Sequence, residues 1–132
     1  MSGTGGGVVT AYADAWRRGD IAALAELYAD DIVVHYGGTS PFAGTHTGRQ
    51  AFLEVLLETA VRSNRQLVEI DDVFDLGTSG AIFARESVDV DGVVTTVRRC
   101  LRYRVSDGRL VECWLYDHDQ HLVDRSWAPR ER

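Results

Sequence analysis

The run AIFARESVDVDGVVTTVRRCLRYRVSDGRLVECWLYD, residues 81–117, reads as three long strands joined by two tight turns. β-Branched and aromatic residues recur along it at alternate positions, the period of a pleated strand. Asp91-Gly92 divides the first two segments. Both positions of a two-residue hairpin loop take positive φ, which Asp and Gly tolerate. Ser106-Asp107-Gly108 closes a second hairpin. With an earlier segment at 67–74, the strands 67–74, 81–90, 93–105 and 109–117 form an antiparallel meander. Long strands twist, so the sheet curves, and its concave face must wrap around something.

The cover lies upstream. Val9, Tyr12, Ala13 and Trp16 fall at i, i+3, i+4 and i+7, one face of a helix over 8–18. Gly19 stops it, and Asp20 is the N-cap of a second helix over 21–28. Residues 32–36 then turn β-branched, a short strand, and Gly37 to Pro41 is a loop. Thr47 and Gln50 have capping-box spacing for a third helix reaching about residue 62. That helix is apolar over a wide arc, including Phe52, Leu53, Leu56, Leu57 and Val61, so the pattern predicts packing on more than one side. A short helix over 120–127 ends the chain. Helices first and a meander after them mean segregated α+β. The expected organisation is a flexible leader, 1–7, then one domain, 8–132.

Composition narrows the function classes. The 132 residues are 45% hydrophobic and 26% charged, enough for a packed core. The net charge is −6, and all 14 basic residues are arginine. Nucleic-acid binding needs a basic face, so this acidic balance argues against it. No apolar run is long enough for a membrane span, and the first seven residues lack the pattern of a signal peptide. Cys100 and Cys113 are too few for a disulfide or metal framework, and the cytoplasm is the expected setting. No phosphate loop, dinucleotide fingerprint or nucleophile–base motif is present, so no cofactor is expected.

Several stretches, in this order and spacing, resemble the ketosteroid isomerase and SnoaL-like branch of the nuclear-transport-factor-2 superfamily. They are Val8 to Tyr12, Arg18-Gly19-Asp20, Leu27 to Asp31, Ser40 to Arg49, Asp107 to Glu112, and Asp119-Gln120 followed by Asp124 and Trp127. The resemblance implies a cone: three N-terminal helices on a strongly curved, mostly antiparallel sheet, closed by a short C-terminal helix. It also implies a pocket inside the cone and a homodimer paired through outer sheet faces, with Trp114 and Tyr116 supplying the contact. The catalytic groups of the relatives carry over poorly. Tyr12 falls where steroid isomerases keep an oxyanion-donating tyrosine. Tyr36 stands where they keep an aspartate base, and Cys100 or Leu101 where they keep a protonated aspartate. SnoaL-type cyclases place an aspartate after a strand tryptophan, where this chain has Leu115 after Trp114. Epoxide hydrolases of this kind need Arg-x-Asp, and this chain has Arg85-Glu86-Ser87.

With the hairpin at Gly92 set as the resemblance implies, strand alternation turns Ala84, Glu86 and Val88 inward, and Arg85, Ser87 and Asp89 outward. Two readings of Glu86 stand: a buried acid or base in an apolar cavity, or an outer-face partner of an arginine. Asp117 is in phase with Cys113 and Leu115, either at the cavity mouth or as a cap of the closing helix. His35 is a proton carrier or a structural histidine, and only one of His35 and Tyr36 can face inward; the resemblance implies the inward phase for Tyr36 and matches His35 to a histidine of the SnoaL-like group. Tyr12 and Trp16, one turn apart, line a pocket roof or serve as core. His118 and His121, three apart beside Asp117 and Asp119, are the crude ingredients of a metal site, yet such residues are routine in solvated turns, and no metal is expected.

The expected catalytic set is therefore Glu86, Asp117, His35 and Tyr12. Trp16, Tyr36, Ala84 and Val88, with Leu101, Cys113 and Leu115, would line the pocket. The expected function is cofactor-free acid–base chemistry (isomerisation, cyclisation, hydration or dehydration) on a small apolar carbonyl or epoxide compound. A non-catalytic ligand-binding or assembly domain is the alternative.

Overall fold

A computed structural model describes residues 7–128 of the chain. The predicted leader lies outside the described residues, apart from Gly7. The elements run α1 (Val8–Arg18), α2 (Ile21–Leu27), β1 (Tyr28–Tyr36), β2 (Gly44–Thr47), α3 (Arg49–Ser63), β3 (Gln66–Asp75), β4 (Ser79–Val90), β5 (Val93–Ser106), β6 (Arg109–Asp117) and α4 (Gln120–Ser126). Six strands make one sheet in the order β2-β1-β6-β5-β4-β3. All neighbours are antiparallel except β1 and β6, which are parallel. Both predicted hairpins are present, with positive φ at Asp91 and Gly92 and at Asp107 and Gly108.

The helices end where local chemistry ends them. Gly19 takes φ 67° and stops α1, and the Asp20 carboxylate accepts from the Ala23 N–H to start α2. α1 has no capping side chain of its own at Gly7. Asp75, arriving at the end of β3, replaces it: one oxygen accepts from the Gly7 N–H, the Thr10 N–H and the Thr10 hydroxyl, at 2.8–3.0 Å. Its other oxygen accepts from the Gly77 N–H.

Three expectations need correction. The strand predicted over 32–36 begins at Tyr28, taking the last residue assigned to the second helix. Thr47 does not cap α3. It lies in β2, a strand not predicted, where it pairs with Val33 of β1, and Gly48 at φ 105° precedes the helix with no side-chain cap. α3 is not enclosed on several sides either. Phe52 is buried, whereas Leu57, at the edge of an opening, and Val61 stand exposed.

The alternation predicted for β4 holds: Ile82, Ala84, Glu86, Val88 and Val90 are buried, and Phe83 is exposed. In β5 the inward set is Val97, Arg99, Leu101, Tyr103 and Val105. β4 and β5 therefore contribute two charged residues to the concave face, Glu86 and Arg99, and β6 sets Asp117 opposite Arg99. No described helix is long and apolar enough to cross a membrane.

Candidate active site

Between the helices and the concave face lies a cavity of about 150 Å³. α1 contributes Tyr12 and Trp16, α2 contributes Leu24, α3 contributes Phe52 and Leu56, and the sheet contributes Leu101 and Leu115. Its rim includes the exposed side chains of Ile21 and Leu57. Only three charged residues line it among those described: Arg65, Glu86 and Arg99.

These three form a buried chain that ends on Asp117. Glu86 Oε2 lies 3.3 Å from Arg65 Nε, and Glu86 Oε1 accepts from Arg99 Nη1 at 3.1 Å. Arg99 then donates through Nε and Nη2 to the two oxygens of Asp117, at 2.8 and 3.1 Å, a bidentate pair. Arg65 also donates to the Thr59 hydroxyl and the Leu56 carbonyl. The side chains of Glu86, Arg99 and Asp117 are each less than 5% exposed. Burial works against the Arg99 charge, but Glu86 and Asp117 outweigh it and hold its pKa above the ordinary arginine value. The Arg99 guanidinium also lies 5.7 Å from the Trp127 ring of the segment ending α4.

Tyr36 completes the floor. Its ring is buried and lines the cavity, and its hydroxyl has no hydrogen-bond partner among the described residues. Burial pushes the Tyr36 pKa up, more than the nearby Arg65 and Arg99 pull it down, so the group stays a neutral O–H donor. Tyr12 differs. Its hydroxyl lies 2.5 Å from that of Tyr28, so the oxygen that the resemblance assigns to oxyanion stabilisation is already engaged.

The predicted site residues separate into groups. Glu86, Tyr12, Trp16, Tyr36, Leu101 and Leu115 meet at the cavity. Asp117 reaches it only through Arg99, and the cap of α4 is Asp119, which accepts from the Leu122 N–H. Ala84, Val88 and Cys113 are buried core beside the cavity and not among its lining. His35 is on the opposite face of the sheet. Its Nε2 lies 2.6 Å from Glu112, its Nδ1 is 3.0 Å from the Thr45 hydroxyl, and its ring stacks on Trp114. The register of β1 explains this: Ile32, Val34 and Tyr36 point inward, which turns Val33 and His35 out. His118 and His121 face different clefts and do not share a site.

Two residues of the site were not anticipated, Arg65 and Arg99. Arg99 was accessible to the same alternation that placed Glu86. Arg65 follows Asn64, whose φ of 47° ends α3, and no periodicity reaches it.

The sequence pattern of the SnoaL-like domain matches residues 9–113. The chain belongs to the SnoaL-like family. No curated protein sequence matches this SnoaL-like chain. Among solved structures, a protein of unknown function with a cystatin-like fold from Xanthomonas campestris is 28% identical, with a TM-score of 0.83 over 92% of this chain and 96% of that one. Bal32a, from a soil-derived mobile gene cassette, is 22% identical with a TM-score of 0.79, over 91% of this chain and 93% of that one. A protein from Mesorhizobium loti described as a SnoaL-like polyketide cyclase is 21% identical with a TM-score of 0.71, over 83% and 95%. At these identities the last two support the SnoaL-like, NTF2-type fold alone.

Proposed function

We propose that this SnoaL-like protein is a cofactor-independent acid–base enzyme acting on a small, largely apolar molecule with a carbonyl, enol or epoxide oxygen. The observation that carries the reading is Tyr36, whose ring lines the cavity and whose hydroxyl is buried, protonated and without a partner among the described residues. A buried donor with no acceptor is costly unless something supplies one, and an oxygen of a bound ligand does so. As negative charge develops on that oxygen, the Tyr36 O–H, a fixed neutral donor, stabilises it without reorganising. Glu86 is the proton acceptor. Each of its oxygens meets one arginine and keeps a further lone pair for a proton from the substrate. A cavity near 150 Å³ holds about one six-membered ring, so a single ring is buried and any extension leaves through the rim. Isomerisation, aldol-type cyclisation and hydration or dehydration all fit these parts.

A thermal-shift screen of monocyclic ketones, enones, phenols and epoxides, followed by turnover assays on each ligand that raises the melting point, tests the reading. Tyr36→Phe should lower kcat by about 10²-fold, and Glu86→Gln should keep binding while abolishing turnover. A second reading, a non-catalytic ligand-binding domain, is favoured by the engagement of both Glu86 oxygens by arginines. Binding by many ligands with no turnover of any would select it. Either activity would suit the cytoplasm, where the unpaired thiols of Cys100 and Cys113 stay reduced. The partner we propose is a second copy of the chain, seated on the outer face of the sheet.

A further inference from the structure

We infer that the floor of the cavity selects its ligand by charge, accepting a neutral carbonyl and rejecting a carboxylate of the same shape. The inference rests on the reading of the cavity as a ligand site and adds the class of ligand that it admits. The basis is a balance of buried charges. Two guanidiniums, Arg65 and Arg99, face two carboxylates, Glu86 and Asp117, in one connected chain. Both oxygens of each carboxylate are engaged: Glu86 by the two arginines, Asp117 by Arg99 alone. Arg65 spends its other contacts on neutral acceptors, the Thr59 hydroxyl and the Leu56 carbonyl.

Within this cluster of described residues no cation is left over. The charged lining by itself, Arg65, Glu86 and Arg99, has an excess of one positive charge, and that excess would attract an anion. Asp117 removes it from behind, through a bidentate grip on Arg99. A ligand carboxylate entering this site would be a buried charge without a counter-charge, losing its hydration for a single hydrogen bond from Tyr36. A ketone loses far less on desolvation and needs only one donor, which the Tyr36 hydroxyl supplies. Asp117 is thus a specificity-determining residue that acts through Arg99 without lining the cavity.

Acetophenone and benzoate are close in shape and differ in charge, so they form a suitable probe pair. Protein-observed NMR titration of the full chain with each gives affinity and location together. Acetophenone should shift resonances of cavity residues such as Leu101 and Leu115. Benzoate should bind there at least about tenfold more weakly. In Glu86→Gln and in Asp117→Asn, each checked for native dispersion of its spectrum, one negative charge is gone. Benzoate affinity should then rise by about tenfold, reversing the preference. Wild-type protein that binds benzoate in the cavity as well as acetophenone would overturn the inference and leave the ligand site standing. If neither probe shifts a cavity resonance, the ligand-site reading falls, and the inference with it.

Discussion

Arg99 is the residue on which most of the buried polar structure depends. Replacing it by leucine would leave Asp117 buried without a cation and Glu86 with Arg65 alone. The expected loss is about 3–5 kcal/mol of unfolding free energy, read from urea denaturation, because a broken buried pair leaves its partner's charge uncompensated. Tyr36→Phe should behave in the opposite way. It deletes a hydroxyl that bonds to nothing in the described structure, so stability should hold or rise slightly while ligand affinity falls. Glu86 was legible as an inward residue because the family resemblance set the phase of the hairpin at Gly92, and alternation carried that phase along β4. For His35 the residues alone set no phase, since nothing in residues 28–36 announces which side of β1 the core is on. Arg65 was illegible for another reason: it lies past the end of a helix, where the chain direction is set by the left-handed turn at Asn64 and not by a repeat.

At the scale of elements, two contacts between distant segments hold the cover on the sheet. Asp75 caps α1 from β3, and Asp75→Ala should cost about 1 kcal/mol, as loss of an N-cap does. Partial burial pushes the Asp75 pKa upward, but hydrogen bonds from Thr10, Gly77 and Gly7 outweigh it and hold the pKa below the ordinary aspartate value. A folded pKa below the unfolded value means stabilisation that is present above about pH 3.9 and is lost as pH falls through the folded value. Wild type should therefore lose more stability than Asp75→Ala between about pH 5 and pH 2, measured by denaturant titration at each pH. The second contact joins α4 to the loop after β1. Asp124 accepts from the Thr39 N–H at 3.0 Å and from Gln120 at 3.1 Å. Gly38, at φ 85°, lies so close that an added Cβ would fall 2.3 Å from the Asp124 carboxylate. Asp124→Ala should speed amide exchange in residues 37–41 and in α4, and leave the β4–β5 hairpin protected. Helix starts and hairpins were readable because capping and turn chemistry are local. The Asp75 and Asp124 contacts span 65 and 85 positions, and no local pattern announces them.

The whole molecule presents two unlike faces. The concave face closes over the cavity. The outer face shows Trp114 between His35 and Arg102, with Phe83 and Tyr116 exposed nearby. A stable pairing of two copies needs about 800 Å² from each partner, and this face is the broad one that carries aromatic side chains. Sedimentation at micromolar concentration should show a dimer, and Phe83→Asp with Tyr116→Asp should return it to monomer. A wild-type monomer would refute the pairing. Meander, helices and curvature were readable from residues 67–117 and the amphipathic stretches before them, because each depends on short-range periodicity. Where β1 enters the sheet was not. It lies parallel against β6, with His35 and Glu112 meeting across 77 positions. That one pairing has a consequence for how the chain is made. A ribosome delivers α1, α2 and β1 long before β6, so the first strand emerges with its central partner not yet synthesised. The cone cannot close until the last strand clears the exit tunnel. Until then the apolar row of Ile32, Val34 and Tyr36 lacks the central strand that completes its burial.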